Sequence, residues 1–291
     1  MTEQADWTLE RFRHREPFRV RWSEVDLQKI VFNAHYLTYF DVAIASYWRA
    51  NAMPYEEAVS MLGGDIFLKK NTLTYQAPAL YEDRLVVGLR CADMGRSSMR
   101  FEGAVFRDQS CLVQGELLYV WADPATRTSQ PIPPALRDMM EQFERGQAPT
   151  TCRVDRWQAQ AEAAHQVRRA VFIEEQGIDP ADEYDAADAT CDHAVVYNRL
   201  QQPVATGRLL PSEQGVATIG RMATLRVLRG SGLGAQVLEA LMAQARARGD
   251  KRVQLHAQCS AQGFYAGLGY EPLGQPYQEV GIPHITMQRA L

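Results

Sequence analysis

Asp26 lies a few residues ahead of a long helical pattern, and a carboxylate in that position can support chemistry at a carbonyl group. The first amides of a helix have no partner within the helix and attract negative charge. They would polarise a carbonyl placed against them and stabilise the oxyanion that forms on attack. The carboxylate can then act as a general base on water or as a nucleophile. On spacing alone, Asp26 also fits a capping or solvated loop residue.

A second candidate site is the glycine-rich segment Arg229-Gly-Ser-Gly-Leu-Gly234, which lies between a predicted strand and a predicted amphipathic helix. Its backbone amides can converge on a phosphate because no Cβ atom stands in the way at the glycines. Arg229 would supply a further positive charge. The segment does not have the spacing of a P-loop, so the pattern alone leaves several kinds of phosphate ligand open.

The elements around Asp26 follow one order, a long helix and then consecutive strands. Large apolar residues recur every four positions from Tyr36 to Trp48 and predict one face of a helix that starts near Asn33 and ends at Pro54. Alternation that begins at Pro17 predicts a strand before the helix. After it, strands are predicted over residues 67–75, 83–94, 99–107 and 112–122. This order indicates an α+β domain whose antiparallel sheet wraps the helix.

The second half of the chain mixes helices and strands and predicts a mixed α/β domain. Residues 145–152 lack periodicity and are predicted to form a linker, so we place the domains at residues 1–148 and 149–291. A helix from Leu233, which Gly249 ends, follows the glycine-rich segment. The other predicted elements are a helix over 157–176, strands over 193–198, 203–210, 216–224 and 252–257, and a short helix over 261–268.

Length and composition agree with a two-domain cytoplasmic protein. The chain has 291 residues, and about 150 residues per domain predicts two domains. A net charge of −4 gives no basic excess for nucleic acid. No apolar run reaches the roughly 18 residues of a membrane span, and no secretory signal pattern is present. The five cysteines are scattered without a C-x-x-C pair, which favours reduced thiols and no metal site.

Residues 18–145 resemble the hotdog-fold acyl-CoA thioesterases of the 4-hydroxybenzoyl-CoA thioesterase type. The resemblance rests on Arg21-Trp-Ser-Glu-Val-Asp-Leu-Gln-Lys-Ile-Val-Phe-Asn-Ala-His-Tyr-Leu-Thr-Tyr-Phe-Asp41, which matches the signature of that family over its full length. One departure is Lys29, which stands where the family often has glycine and puts the shape of the pocket in question.

The hotdog resemblance implies roles for particular residues. Asp26 corresponds to the catalytic carboxylate, and the backbone amide of Asn33 corresponds to the donor that polarises the thioester carbonyl. Glu24 is expected to be a solvated neighbour of Asp26, and His35 a packed or hydrogen-bonded histidine without a catalytic role. The residues that fall where some members contact the nucleotide part of coenzyme A are Arg96, Ser97 and Ser98.

Residues 153–291 resemble the GNAT family of N-acetyltransferases. The pattern Arg-x-x-Gly-x-Gly precedes an amphipathic helix and is followed by a strand and by Gly263-Phe-Tyr-Ala-Gly-Leu-Gly-Tyr270. Three further segments are similar to the ElaA-like branch of the family. They are Arg168-Arg-Ala-Val-Phe-Ile-Glu-Glu-Gln176, Ala257-Gln258 and Gly281-Ile-Pro-His284.

The GNAT resemblance implies that the glycine-rich segment binds the pyrophosphate of acetyl-CoA and that the preceding strand pairs with pantetheine through its backbone. Tyr265 corresponds to a frequent general acid that protonates the departing thiolate, although it also fits a core aromatic. Glu174, Glu175 and His284 are candidate bases, each with a structural role as the stronger expectation. The implied cofactor-binding residues are Met222, Leu225, Arg229, Gly230, Ser231, Gly232, Leu233 and Gly234.

Together the resemblances predict a bifunctional enzyme that uses coenzyme A thioesters and no metal. Its first domain would hydrolyse acyl-CoA, and its second would transfer an acyl group, with acetyl expected, to a small-molecule or protein amine. Because hotdog sites are commonly built across a subunit interface, a homodimer or homotetramer is expected. Two alternatives remain open: a GNAT-like domain that binds coenzyme A or acetyl-CoA only to regulate the thioesterase, and a hotdog domain that serves only as a dimerisation scaffold.

Overall fold

The computed structural model describes residues 7–291, and the chain divides into two units between Pro149 and Thr150. Each unit has its own sheet, with five strands in the first and seven in the second. Within residues 7–291, no helix combines the length and the apolar character that crossing a membrane requires.

The first unit is a long helix held against an antiparallel sheet, which confirms the predicted α+β arrangement. The strands lie in the order β1-β3-β4-β5-β2, so β1 and β2 form the edges. Its elements are β1 His14–Arg19, α1 His35–Ala50, α2 Tyr55–Leu62, β2 Asp65–Tyr75, β3 Arg84–Met94, β4 Ser98–Arg107, β5 Ser110–Ala122 and α3 Pro134–Glu144.

Helix α1 approaches the sheet closely because two glycines lie beneath it. Gly103 of β4 and Gly115 of β5 are direct partners across the two strands. A Cβ atom would lie 2.6 Å from the Phe40 ring at Gly103 and 2.9 Å from it at Gly115. The Phe40 side chain is fully buried in the space that the glycines leave. This packing fixes α1, and therefore the turn that leads into it, against the sheet.

Three parts of the first unit differ from the sequence-based prediction. Strand β1 begins at His14, before the predicted start at Pro17, and ends at Arg19, so the alternating pattern continued past the strand. Helix α1 begins at His35, two residues later than predicted, because residues 33 and 34 form a turn in front of it. Helix α2, Tyr55–Leu62, had not been predicted, and Pro54 precedes its first residue.

The second unit is a mixed seven-stranded sheet in the order β11-β12-β10-β9-β8-β7-β6. In the described part of the chain, β9 and β10 are the pair that runs in parallel. This confirms the predicted mixed α/β class. Its elements are β6 Thr150–Arg156, α4 Trp157–Arg168, a π-helix Arg169–Glu175, α5 Pro180–Glu183, β7 Asp192–Asn198, β8 Pro203–Leu209, β9 Val216–Thr224, α6 Leu233–Arg248, β10 Arg252–Gln258, α7 Gln262–Gly267, β11 Glu271–Glu279 and β12 Ile282–Ala290.

The parallel strands β9 and β10 stay together over only part of their length. Their register pairs Val216 through Ile219 with Arg252 through Leu255 and then stops. On its other side, β9 pairs with β8 through an irregularity opposite Gly207, where Arg221 has a positive φ of 52°. A bulge of this kind bends the strand. The sheet therefore opens between β9 and β10 beyond Ile219 and Leu255.

The start of the second unit is a correction to the predicted linker. Residues from Thr150 onward form strand β6, which pairs with β7 from Thr150↔Asn198 to Arg156↔Asp192. Residue Cys152 thus lies inside an edge strand. The predicted single helix over 157–176 is an α-helix to Arg168 and then one stretch of π-helix. Strands β11 and β12 had not been predicted from the sequence.

Candidate functional sites

Asp26 lies in a tight hairpin that leads into α1. The amide of Phe32 donates to the carbonyl of Glu24 at 2.9 Å, and the amide of Asp26 donates to the carbonyl of Ile30 at 2.9 Å. The turn between them contains Lys29 with a φ of 62°. A left-handed residue there is the conformation that glycine adopts without steric cost. Lys29 therefore adopts a conformation that glycine would also adopt, and its side chain is exposed.

Asp26 lies on the first side of the hairpin, and Asn33 directly follows its second side. One carboxylate oxygen of the half-buried Asp26 accepts from the amide of Gln28 at 2.8 Å. Across residues 7–291, no acceptor is recorded for the amide of Asn33, while its carbonyl accepts from the Tyr36 amide and the Tyr75 hydroxyl. The hairpin thus carries an amide that could polarise a carbonyl and, nearer its turn, a carboxylate that could activate a nucleophile.

Glu24 is not the solvated neighbour that the sequence suggested. Its side chain is only 8% exposed. One carboxylate oxygen accepts from the Tyr39 hydroxyl at 2.8 Å and from the amide of Arg21 at 2.7 Å. The bond from Tyr39 ties the short 3-10 helix Trp22–Glu24, which precedes Asp26, to helix α1. Glu24 therefore supports the hairpin, whereas half-buried His35 packs its ring edge against Phe32.

The proposed nucleotide-contacting residues of the first unit lie at the turn between β3 and β4. Arg96 has an exposed side chain, and its carbonyl accepts from the amide of Ile132. The carbonyl of Ser97 accepts from the amide of Trp121, and Ser98 is the first residue of β4. Ser97 and Ser98 are thus held by the sheet, and Arg96 is the member of the three that offers a charge to solvent.

The glycine-rich segment forms the turn that leads into α6; we call the backbone amides of residues 230–234 the cradle. Gly230 and Gly232 have φ values of 81° and 85°, and nothing lies within 4 Å of a Cβ atom built at either. Gly232 is the residue before α6, and no side chain caps the helix there. Gly234 has a different reason for its size, because the Phe264 ring would lie 3.3 Å from its Cβ. In the described part of the chain, no acceptor is recorded for the amides of residues 230–234, which lie at a helix N-terminus.

Arg229 does not present a free cation to this cradle. Its two terminal nitrogens donate to the two carboxylate oxygens of Glu175 at 2.7 and 2.6 Å. Its Nε donates to the carbonyl of Thr224 at 3.3 Å. Glu175 at the end of the π-helix therefore offsets part of the charge that Arg229 was expected to supply. Ser231 turns its hydroxyl back to the carbonyl of Leu228.

Two residues near the opening between β9 and β10 were expected to contact coenzyme A, Met222 within β9 and Leu225 directly after it. The amide of Leu225 donates to the carbonyl of Val204 at 3.1 Å, and its carbonyl accepts from the amide of Leu228 at 2.9 Å. Both backbone groups of Leu225 thus have a partner within the domain, and its carbonyl keeps a second lone pair as an acceptor. Met222 lies beyond Ile219, where β9 has left β10, and it remains the candidate from this strand.

Tyr265 lies in α7 and is 7% exposed. Burial raises the pKa of its hydroxyl to about 12, so the group is protonated at neutral pH. Its ring packs against Phe264 and Tyr270, with centroids 4.9 and 5.9 Å away. A protonated hydroxyl suits a general acid, and the aromatic packing equally fits a core residue.

Each candidate base already has a partner in the structure. Glu174 is exposed and pairs with Arg169 at 2.9 Å, while Glu175 pairs with Arg229. His284 turns Nδ1 toward the carbonyl of Ile282 and stacks on Tyr277. His256 was not predicted as a site residue, although it stands between the inward-facing Leu255 and Ala257 and therefore points to the open face of β10.

Residues 7–291 contain no group of three or more His, Cys, Asp and Glu side chains arranged to hold a metal ion. The candidate groups of the two units are the amide of Asn33 and the carboxylate of Asp26 in the first, and the amides of residues 230–234 at the start of α6 in the second.

Comparison with known families decides which proteins the two units belong with. The model of the acetyltransferase (GNAT) domain matches residues 160–291, and that of the thioesterase-like superfamily matches residues 20–140. YyaT from Bacillus subtilis strain 168 is 37% identical over 137 residues, which is 46% of this chain and 91% of YyaT. The chain is a fusion of a thioesterase-like domain and a GNAT acetyltransferase domain. Both family resemblances predicted from the sequence are confirmed.

Other relatives of the thioesterase–GNAT fusion also match one half each. The putative acetyltransferase BSU40680 of Bacillus subtilis strain 168 is 35% identical over 130 residues, covering 43% of this chain and 86% of its own. Among solved structures, Escherichia coli ElaA is 31% identical, covers 48% of this chain and 99% of ElaA, and has a TM-score of 0.44. A Thermus thermophilus thioesterase crystallised with coenzyme A and Zn is 26% identical, covers 47% of this chain and 98% of its own, and has a TM-score of 0.42.

Proposed function

We propose that the fusion is a bifunctional enzyme of coenzyme A thioesters, with acyl-CoA hydrolysis in its first domain and acyl transfer to an amine in its second. The observation that supports the proposal is that each domain has backbone amides for which no acceptor is recorded in the described residues, at the positions where the family resemblances expect a thioester to bind. In the first, the exposed Asn33 amide lies on the same hairpin as Asp26. In the second, the amides of residues 230–234 start a helix of 16 residues.

Hydrolysis would proceed at the Asp26 hairpin. The Asn33 amide would donate to the thioester carbonyl and stabilise the negative charge that develops on its oxygen. Asp26 would either take a proton from the attacking water or attack the carbonyl carbon itself. Exposed Arg96 would contribute a positive charge toward the nucleotide end of the substrate. Free coenzyme A and a carboxylic acid would be the products.

Transfer would take place in the second domain. The residue 230–234 amides fit a pyrophosphate because the positive φ values of Gly230 and Gly232 turn the backbone without adding side chains. Met222, where β9 has left β10, would pair with the pantetheine arm through its backbone. Tyr265 would protonate the thiolate that leaves after the amine attacks, since burial keeps its hydroxyl protonated.

Thiol release across a panel of acyl-CoA substrates tests the proposal. The full chain is assayed with aliphatic and aromatic acyl-CoAs, with and without a pool of amines. Release without amines reports hydrolysis, and additional release of thiol from acetyl-CoA in the presence of an amine, with the acetylated amine detected by mass spectrometry, reports transfer. Absence of both activities over the whole panel would contradict the proposal.

A second candidate for the GNAT domain is a binding module that senses acetyl-CoA or coenzyme A and regulates hydrolysis. One observation favours it, namely that Glu174 and Glu175 are both ion-paired and unavailable as bases in this structure. Isothermal titration with acetyl-CoA together with the amine screen distinguishes the two functions. Tight binding without transfer to any amine would support the sensor.

Gly232→Ala is expected to weaken coenzyme A binding to the second domain by at least about tenfold. The alanine strains a residue with a φ of 85° and turns the neighbouring amides away from the phosphate. The control is Gly249→Ala at the other end of α6, where φ is 90° and the space is equally open. Both variants should lose similar stability, and only Gly232→Ala should lose affinity in isothermal titration. Equal affinities would show that this cradle does not bind the ligand.

We also propose that the thioesterase-like domain forms a dimer along β2. This strand is an edge of the sheet, and Phe67, Leu68 and Tyr75 on it are 40–49% exposed. A long edge with exposed apolar side chains favours pairing with another chain. Native mass spectrometry should give at least twice the 32.8 kDa chain mass. Leu68→Lys should shift it toward the monomer, whereas Leu273→Lys on the edge strand of the other sheet should not.

A further inference from the structure

We propose that His256 is the general base that takes the proton from the acceptor amine in the GNAT domain. The inference rests on the transferase part of the proposed function and assigns the base for it. Neither the glycine-rich segment nor Tyr265 can fill this role, since one is a backbone anion site and the other a protonated acid.

The position of His256 follows from the register of β10. Leu255 pairs with Ile219 as the last contact between β10 and β9, and His256 is the next residue. It therefore lies where the two strands begin to separate, which is where the thioester end of a pantetheine arm laid along β9 would emerge. Leu255 and Ala257 face the core at 2% and 1% exposure, so His256 faces the opposite side of the sheet.

That side of the sheet is the one covered by α4 and the π-helix. Gln258, two residues beyond His256 on the same face, donates to the side chain of Gln176 at the end of the π-helix at 3.1 Å. Gly220 of β9 faces the Arg208 side chain, whose ion pairs reach the α4 side of the sheet. The opening between the strands is therefore bordered on this face by polar groups and not by the core.

The neighbours of His256 hold its ring in one orientation. Nδ1 contacts the Tyr277 hydroxyl of β11 and lies 3.4 Å from Oγ1 of Thr286, its direct partner on β12. With the proton on Nδ1, either oxygen accepts from it and Nε2 is left as an acceptor. Within residues 7–291, no partner is recorded for Nε2 of this exposed side chain. The arrangement matches a base whose other nitrogen is anchored by a third group.

Other titratable groups of this face are less suited to the task. Nδ1 of His284 is also anchored, 2.8 Å from the carbonyl of Ile282, but the strand partner of His284 is Gln258, which lies two residues farther than His256 from the end of β9 pairing at Leu255. Arg221, at the bulge of β9, pairs with Glu183 and Asp185. Both of these carboxylates are thus engaged by Arg221.

The proposed step balances without an additional reactant. The neutral amine attacks the acetyl carbon and forms the new carbon–nitrogen bond, Nε2 of His256 takes the one proton that this nitrogen loses, and the carbon–sulfur bond of the thioester breaks. Tyr265 gives its proton to the departing thiolate, and the proton on the imidazolium returns to the tyrosinate through solvent, so the products are the amide and free coenzyme A. The imidazolium that forms is stabilised because its Nδ1–H donates to Tyr277 or Thr286. Tyr277 is a positioning residue in this scheme, since it acts through His256.

Kinetics of acetyl transfer at saturating acetyl-CoA test the assignment in the full chain. His256→Gln should lower kcat/KM for the amine by about 100-fold and should leave the dissociation constant of acetyl-CoA unchanged. For the parent, kcat/KM is expected to fall toward acid pH as the base becomes protonated. In His256→Gln this acid limb of the pH profile should change shape because the base is absent. Tyr277→Phe should cost about fivefold and displace the same limb. Added imidazole should restore part of the rate of His256→Ala and none to His256→Gln.

Gln254→Ala is the control, because Gln254 lies on the same face of β10 where the strand is still paired with β9. It should keep parental kinetics. A parent that transfers acetyl while His256→Gln keeps the parental rate and pH profile would overturn this assignment alone. A parent that acetylates no amine in the screen would overturn the transferase proposal and the assignment with it.

Discussion

Asp26→Asn is expected to lower kcat for acyl-CoA hydrolysis by about 1000-fold, in the range measured for the loss of a general base. Asparagine keeps the size of the side chain and the oxygen that accepts from the Gln28 amide, so the hairpin should be retained. It can neither take a proton from water nor attack a carbonyl carbon. Steady-state thiol release with the acyl-CoA that the parent cleaves best measures the loss.

The matched control for this substitution is Asp123→Asn. Asp123 is also a loop aspartate, and one of its carboxylate oxygens accepts from the amides of Ala125 and Thr126. Its replacement removes the same charge from the same kind of turn and should leave hydrolysis at the parental rate. Parental hydrolysis by Asp26→Asn would show that another group performs the chemistry. Acetyl transfer by the second domain should be unaffected in both variants.

The sequence predicted those parts of the fold whose information is local. The four-residue spacing from Tyr36 to Trp48 repeats within one helix, and each of the runs that predicted β2 to β5 is a continuous segment of the sequence. The glycine-rich segment also encodes its own shape, because a positive φ needs glycine at the residue where it occurs. Asp26 and Asn33 were identified for the same reason, since they belong to one hairpin.

The features that the sequence did not predict depend on distant partners. Strand β6 has little pattern of its own and exists because Thr150–Arg156 finds the edge of β7. Glu24 is buried where Tyr39 of helix α1 donates to it. Arg229 forms an ion pair because Glu175 lies beside it. Pairing of this kind is set by the tertiary fold, so single-sequence patterns do not contain it.

His256 shows the same limit within a predicted strand. The alternation of Val253, Leu255 and Ala257 already indicated that His256 faces away from the core. What it could not indicate is that pairing with β9 ends at Leu255, or that Tyr277 and Thr286 hold the ring from two other strands. The orientation of the residue was encoded locally, and its surroundings were not.

A buried charged network between α4 and β8 should dominate the stability of the GNAT domain. Arg168 is 1% exposed. Its Nη1 donates to both oxygens of Asp188 at 2.9 and 3.0 Å, its Nη2 donates to the carbonyl of Glu183, and its Nε donates to the Glu183 carboxylate. Arg208 joins the same cluster through Asp185 and Asp188. The network ties the segment after the π-helix to strand β8.

The charges in the network respond to pH in a defined direction. Hydrogen bonds from Arg208 lower the pKa of Asp185 to about 2. A carboxyl group with a lowered folded-state pKa contributes stability that is present above its unfolded pKa of about 4 and is lost as the pH falls toward 2. Burial raises the pKa of Glu183, which reduces this contribution. At neutral pH the loss of an arginine therefore leaves buried carboxylates without their partner.

Arg168→Leu is accordingly expected to destabilise the GNAT domain by about 3–5 kcal/mol, the cost of breaking a buried ion pair from one side. The control is the adjacent Arg169→Leu, which removes an exposed pair with Glu174 and should change stability by less than about 1 kcal/mol. Because a two-domain chain need not unfold in one step, amide hydrogen exchange read by mass spectrometry on peptides from β7 and β8 is the suitable measurement. Protection in Arg168→Leu that equals the parent would show that Arg208 and Arg221 alone compensate the buried carboxylates. Peptides from the thioesterase-like domain should exchange at the parental rate in both variants, which separates a local loss of stability from a general one.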